Sequence, residues 1–264
     1  MPRTGVEYAT YNITVYREPC PHMCRYCWAW RIPLYSKRIQ SGRYSPLTEA
    51  KKIAEKCTNG ERVVISFTSD PYPPQEAWLN YTRSVISILR HNGCPTILVL
   101  TKNPILALKD QDVMLTPIAG HSCNPEVWLG TTITSSDTGT PYSIILEPNA
   151  PRTHIRLMAL KTYQEQGGKV WLSLEPIIPI PRPPFYPENI VKTALSALDP
   201  ENIALVVLGR LNYINQLRTH MPMPLPSEER ITRFYREHVP IAIEILEQYE
   251  IPYHVKKELK EVLE

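Results

Sequence analysis

"CPHMCRYCW", residues 20–28, sets three cysteines within eight positions, at Cys20, Cys24 and Cys27. It follows directly on "YNITVY" (11–16), which reads as a short strand. A strand that empties into a cysteine-rich loop raises two questions. One is what scaffold holds the loop, and the other is what three thiols hold.

The scaffold reads from the alternation downstream. Apolar runs at "RVVISF" (62–67), "TILVL" (96–100), "VWLGTTI" (127–133), "VWLSLEP" (170–176) and "IALVVLG" (203–209) bring the predicted strands to six. Between them lie helical stretches. "SPLTEAKKIAEKC" has Ser45 as cap before Pro46; the others span 76–93, 153–168, 187–198 and 227–249, the last expected to kink or break at Pro240. Alternating strands and helices predict a parallel sheet with crossover helices. Continuous apolar runs, rather than strict alternation, fit a covered sheet. Pattern alone leaves an open doubly wound sheet and a full or partial β/α barrel as the two arrangements. The proline-dense "EPIIPIPRPPFYP" (175–187) reads as loop, and "YHVKKELKEVLE" (253–264) as a solvated helix.

The chain of 264 residues is 43% hydrophobic and 21% charged, enough for one sizeable core. A net charge of +3 leans only weakly toward anionic partners. No run reaches 18 apolar residues, and "MPRTGVEYATYNITVY" lacks a signal-peptide core, so a cytoplasmic protein without a membrane span is expected. The remaining cysteines, Cys57, Cys94 and Cys123, are scattered singly and fall away from the strand exits.

In either arrangement the chemistry belongs at the C-terminal ends of the strands. Those exits carry the cysteines, then Ser69, Asp70 and Tyr72, then Lys102, then Thr132, then Glu175, then Arg210, Asn212 and Tyr213. Tyr72, Glu175, Arg210, Asn212 and Tyr213 are the candidates to face a substrate or act in catalysis. Each has a plain alternative: Tyr72 could pack in a proline-rich turn, and Glu175 could only pair with Arg210 or Lys102. For the cysteines, a closed zinc site wants four ligands and usually paired motifs, which are missing here. A 4Fe–4S cube takes one thiolate per iron, and three would leave one iron open.

Cys-x3-Cys-x2-Cys after the first strand, with Tyr26 before the last cysteine, resembles the radical S-adenosylmethionine (SAM) superfamily. The resemblance covers nearly the whole chain and implies a partial (β/α)6 TIM-like barrel of parallel strands with outer helices. It implies one radical SAM domain over 1–264, with a cluster loop at 17–45 and a C-terminal helical segment at 227–264. It also implies a 4Fe–4S cluster on Cys20, Cys24 and Cys27, whose open iron chelates SAM, reductive cleavage of SAM, and hydrogen abstraction from a substrate. An electron donor such as ferredoxin or flavodoxin is the implied partner; nucleic acid is not indicated by charge.

"CPHMCRYCW", "FTSDPYPPQE" and "LTKNP" together look like the spore photoproduct lyase-like branch, with its relatives labelled DNA repair photolyases. That likeness places Ser69, Asp70, Lys102 and Thr132 at SAM, Lys102 on its carboxylate. Tyr26 and Trp28 flank the last cysteine on the cofactor side. Where that branch carries a hydrogen-donor cysteine this chain has Phe67, and where it carries a second tyrosine this chain has Trp28. Repair of the spore lesion is therefore not expected, and the substrate stays unidentified. A non-enzymatic iron–sulfur or zinc module is the reading from a different class.

Overall fold

The computed structural model describes residues 6–31, 44–65, 68–93, 95–120, 123, 125–137 and 141–264. Among the described residues seven strands form one sheet in the order β1-β2-β3-β4-β5-β6-β7, every neighbouring pair parallel. They are β1 Tyr11–Ile13, β2 Arg62–Ile65, β3 Thr96–Leu100, β4 Val127–Thr132, β5 Lys169–Ile177, β6 Ile203–Arg210 and β7 Tyr253–Val255. The order never reverses, so there is no topological switch point and the doubly wound alternative falls. The sheet instead curls into an open half-barrel with the helices outside it.

The six strands expected from sequence are all present. The seventh corrects the reading of the C-terminal tail. Residues 253–255 pair with β6, and only Lys257–Leu263 is helical. That tail is not a fully solvated element either, since Val255, Lys256 and Leu259 are buried. The predicted helix over 76–93 is divided by Asn80, whose φ of 55° is left-handed, into Glu76–Leu79 and Tyr81–Asn92. Of the kink or break expected at Pro240, the break does not occur: Glu228–Gln248 is one helix with Pro240 inside it. Ser45 caps Pro46–Ala54 by accepting from Thr48 N at 3.3 Å. Strand β5 runs on to Ile177, so the proline-dense segment is loop only beyond it.

The sheet's two faces carry two cores. Val63, Ile65, Ile97, Val99, Leu129, Leu172, Val206 and Leu208 pack outward under the helices. Val64, Leu98, Trp128, Trp171, Leu205 and Val207 pack inward with Val6, Tyr8 and Ala9. Both faces are dry, which is why the strands read as unbroken apolar runs. The inner core is an aromatic plug. Trp171 lies against Gly130 of the neighbouring strand, where an added Cβ would sit 2.4 Å from the indole Nε1. That nitrogen donates to Val99 O at 3.2 Å.

Because side chains alternate along a strand, the inner stripe above the plug follows from the register. Leu98 leads to Leu100 and Lys102, Trp128 to Gly130 and Thr132, and Trp171 to Ser173 and Glu175. Thr132 is paired with Ser173 across β4 and β5. The stripe therefore turns from apolar to polar at the C-terminal mouth of the half-barrel.

Among the described residues no helix is long and apolar enough to cross a membrane. The Cys57 thiol donates weakly to Ala54 O at 3.6 Å. Cys123 is disulfide-bonded, which departs from its reading as a lone cysteine, while Cys94 lies outside the described residues.

Candidate active site at the barrel mouth

The inner stripe opens into a cavity lined by Tyr26, Cys27, Trp28, Leu100, Lys102, Thr132, Ser173, Glu175, Arg210 and Asn212. Eight residues singled out from sequence thus meet on one wall system: Tyr26, Cys27, Trp28, Lys102, Thr132, Glu175, Arg210 and Asn212. They come from five different strand exits, and only the curl of the sheet brings them together.

The cysteine loop is strapped to the far side of the barrel. Arg25 N donates to Leu146 O at 2.7 Å, and Asn149 Nδ2 donates to Pro21 O at 2.8 Å. Tyr26, which is buried, donates its hydroxyl to Glu147. Glu147 in turn accepts from Arg156, whose Nη1 donates to Thr132 O at 2.8 Å and whose Nε donates to Pro151 O at 2.7 Å. Glu147 and Arg156 are fully buried. Burial alone would raise the Glu147 pKa, but Arg156 and then Lys102 hold it below the ordinary value. A buried pair of this kind fixes geometry more than it adds stability. Here it ties the cysteine loop to Thr132 at the end of β4.

Asp70 makes the second tie. Its Oδ1 accepts from Tyr72 N at 2.8 Å and from Thr101 Oγ1 at 2.7 Å; its Oδ2 accepts from Lys102 N at 2.8 Å. His22 Nε2 lies 3.0 Å from the same Oδ2, an ion-pair contact rather than a well-aligned hydrogen bond. Its Nδ1 lies 3.2 Å from Asn149 O. Burial opposes the Asp70 charge, but His22 and these donors push its pKa down to about 2. Asp70 therefore orients Lys102 through the backbone and does not line the cavity. Ser69 does not line it either; its hydroxyl donates to Glu18 O at 3.4 Å.

Lys102 presents its ammonium to the cavity with its Nζ 5.7 Å from the centre of the Tyr26 ring. No side chain among the described residues accepts a hydrogen bond from it. Burial works against its charge, but Cys24 and Glu147 outweigh burial and leave its pKa above the ordinary lysine value. Trp28 and Tyr213 meet across the opening at 6.1 Å between ring centres. Tyr213 takes a left-handed φ of 57°, which swings the chain after β6 toward the cysteine loop. Tyr213 is beside the cavity rather than on its wall.

Two expectations are corrected. Tyr72 is fully buried and donates to Asp110 Oδ2 at 3.0 Å, so it belongs to the core and not to the site. Glu175 pairs with neither Arg210 nor Lys102; its Oε1 accepts from Lys256 Nζ at 2.7 Å. Burial pushes the Glu175 pKa up, and Lys256 only partly offsets this. The Phe67 position lies outside the described residues.

Sequence reasoning missed Glu147, Arg156, Ser173 and Lys256. Arg156 carried a signal: it shares the buried face of Thr153–Glu165 with Leu157, Leu160 and Tyr163. A cation on an apolar helix face needs an internal partner.

The three cysteines are free thiols. Burial pushes Cys20 up to about 11 and Cys24 further, with Lys102 pulling both the other way. Cys27 and Cys20 also contribute to the raised Cys24 pKa, and Cys27 lies on the cavity wall. Among the described residues no three His, Cys, Asp or Glu side chains gather closely enough to hold a single metal ion. A cube ligated by one thiolate per iron sets its sulfurs farther apart than a single ion does. The donor set and the adjacent ammonium fit such a group.

No protein-family model matches the chain. An uncharacterized protein of Methanocaldococcus jannaschii is 28% identical over 181 residues, covering 67% of this chain and 63% of that protein. The chain thus matches less than two thirds of that relative's length. Two solved structures of spore photoproduct lyase share the architecture. One is a double mutant with bound AdoMet and dinucleoside spore photoproduct, with a TM-score of 0.61 at 14% identity. The other is a single mutant, with a TM-score of 0.60 at 16% identity. Each alignment covers 88% of this chain and 72% of the other. The class is therefore an open, parallel (β/α) half-barrel with its polar mouth at the strand C-termini. The particular scaffold is that of spore photoproduct lyase, and the resemblance drawn from residues 20–28 holds at the level of the fold.

Proposed function

We propose that this chain is a radical SAM enzyme acting on an unidentified substrate. In this reading Cys20, Cys24 and Cys27 hold a 4Fe–4S cluster, and SAM lies in the cavity between Tyr26, Lys102 and Thr132. When bound and reduced, the cluster supplies the electron that cleaves SAM. The observation that carries the proposal is the placement of three thiols on one loop, with Cys27 on the wall of a cavity that also presents the Lys102 ammonium, which has no carboxylate partner among the described residues. The likeness to a fold that binds AdoMet supports it.

The chain's own residues position and shield. Lys102, oriented by Asp70, faces the cavity as a partner for the SAM carboxylate. The Tyr26–Glu147–Arg156 tie holds the loop and Thr132 at a constant separation. Trp28 and Tyr213 narrow the mouth and limit water. The bond rearrangement that follows hydrogen abstraction, of lyase or transferase type, belongs to the substrate. We assign the reaction to one domain, 1–264, and to the cytoplasm, with a low-potential donor such as ferredoxin or flavodoxin.

The test is anaerobic reconstitution with iron and sulfide, followed by SAM and dithionite. The expected result is one cube per chain, read by iron and sulfide content and electron paramagnetic resonance, and formation of 5′-deoxyadenosine. Iron uptake without SAM cleavage would favour a non-enzymatic module, and stoichiometric zinc in its place would sink the proposal.

A further inference from the structure

Arg210 lines the cavity from the end of β6. It is the last residue of β6 and pairs with Ile177 of β5. Its backbone is held from behind by Tyr235, which is fully buried. The Tyr235 hydroxyl donates to Ile177 O at 3.1 Å and accepts from Leu211 N at 3.0 Å. The position of Arg210 is therefore fixed by the sheet and by the helix Glu228–Gln248.

Its side chain is not neutralised. The Nε atom is buried and has no hydrogen-bond partner. Among the described residues no carboxylate pairs with the guanidinium. The one carboxylate on the same cavity wall, Glu175, is already engaged by Lys256. Lys256 is itself buried and stands over Gly209, where an added Cβ would lie 3.2 Å from its side chain. A desolvated N–H without an acceptor is unfavourable and uncommon in folded proteins. The planar fork of an arginine matches an oxyanion in two-point contact.

Among the described residues the cavity thus presents two cations that pair with no carboxylate, from two different strand ends. Lys102 sits among Cys24, Glu147 and Arg156 on the cysteine-loop side. Arg210 ends β6, next to Leu211, whose N–H donates to the Tyr235 hydroxyl. One SAM carries one carboxylate, which accounts for Lys102 alone. We propose that Arg210 binds an anionic group of the substrate, a phosphate or carboxylate, so that the substrate class is an oxyanion-bearing molecule held at the β6 end of the cavity. This rests on the radical SAM reading for the assignment of Lys102. The presence of an oxyanion site at Arg210 does not depend on that reading.

The experiment uses inorganic phosphate as probe and calorimetric titration as readout, on reconstituted protein with and without SAM. Wild type is expected to bind phosphate saturably in both states. Arg210→Gln is expected to weaken phosphate binding at least tenfold, and Arg210→Lys, which keeps the charge but loses the fork, to recover part of it. Lys102→Gln is expected to retain phosphate binding when SAM is present. Failure of wild type to bind phosphate overturns the proposal. So does equal binding by wild type and Arg210→Gln, or loss of SAM affinity in Arg210→Gln, which would assign this cation to the SAM carboxylate. Failure of wild type to bind SAM strikes the enzyme reading alone. The arm without SAM would then still decide whether an oxyanion site exists at Arg210.

Discussion

Replacing Asp70 by asparagine tests the tie that orients Lys102. The carboxylate accepts from Tyr72 N, Thr101 Oγ1 and Lys102 N, all at 2.7–2.8 Å, and has His22 Nε2 at 3.0 Å. An asparagine fits the same volume. In either orientation, though, its NH2 group faces a backbone N–H, that of Lys102 or that of Tyr72. The size of the effect follows from the carboxyl pKa, pushed from an ordinary 3.8 down to about 2. That displacement corresponds to ~2.5 kcal/mol of folding stability at neutral pH. The group is only 7% exposed, so solvent screening takes little from this figure.

The sign is set by the depressed pKa. The stabilisation is fully present above the unfolded value of about 4 and is lost as pH falls through about 2, with roughly half remaining near pH 3. Urea unfolding followed by tryptophan fluorescence, on wild type and Asp70→Asn from pH 7 to pH 3, measures the difference directly. We expect a deficit of ~2.5 kcal/mol at pH 7 that shrinks toward pH 3. A deficit below about 0.5 kcal/mol at pH 7, or one that does not shrink on acidification, would refute the reasoning.

Three further substitutions probe the supports of the cavity. Glu147→Gln leaves Arg156 buried and uncompensated; a loss of about 3–5 kcal/mol is expected in chemical denaturation, and a loss under 1 kcal/mol would mean Arg156 finds another partner. Gly130→Ala drives a methyl into the Trp171 indole; about 1–3 kcal/mol of destabilisation and a shifted tryptophan emission are expected, whereas an unchanged melting temperature counts against the packed plug. Lys256→Met strips Glu175 of its ammonium, so burial raises the Glu175 pKa further. A carboxyl raised in the folded state destabilises above its unfolded pKa, so the variant's thermal deficit should be largest near pH 8 and shrink toward pH 5. A deficit that grows on acidification contradicts that assignment.

Several parts of this site were legible before any coordinates. Lys102, Thr132 and Glu175 stand out because a polar or charged residue terminates an apolar strand, and strand ends of a parallel sheet share one mouth. Cys20, Cys24 and Cys27 stand out by spacing. Arg210 follows the same strand-end rule. The pairing of Glu175 with Lys256, 81 positions apart, was not legible. The final strand β7 is only three residues long and carries too little pattern to distinguish it from a helix start. Tyr72 follows the strand-end rule in sequence yet turns into the core, because Asp110 offers a buried acceptor there.

The sequence by itself determined six of the seven strands and the longer helices, because apolar periodicity and caps act over a few residues. It also determined that three thiols share one loop, because their spacing is a local property. Only the tertiary structure decided which cations have no carboxylate partner among the described residues. Lys102 and Arg210 are free to meet a ligand because Glu147 is engaged by Arg156 and Glu175 by Lys256. Those pairings depend on the curl and register of seven parallel strands, which bring distant residues within about 3 Å of one another.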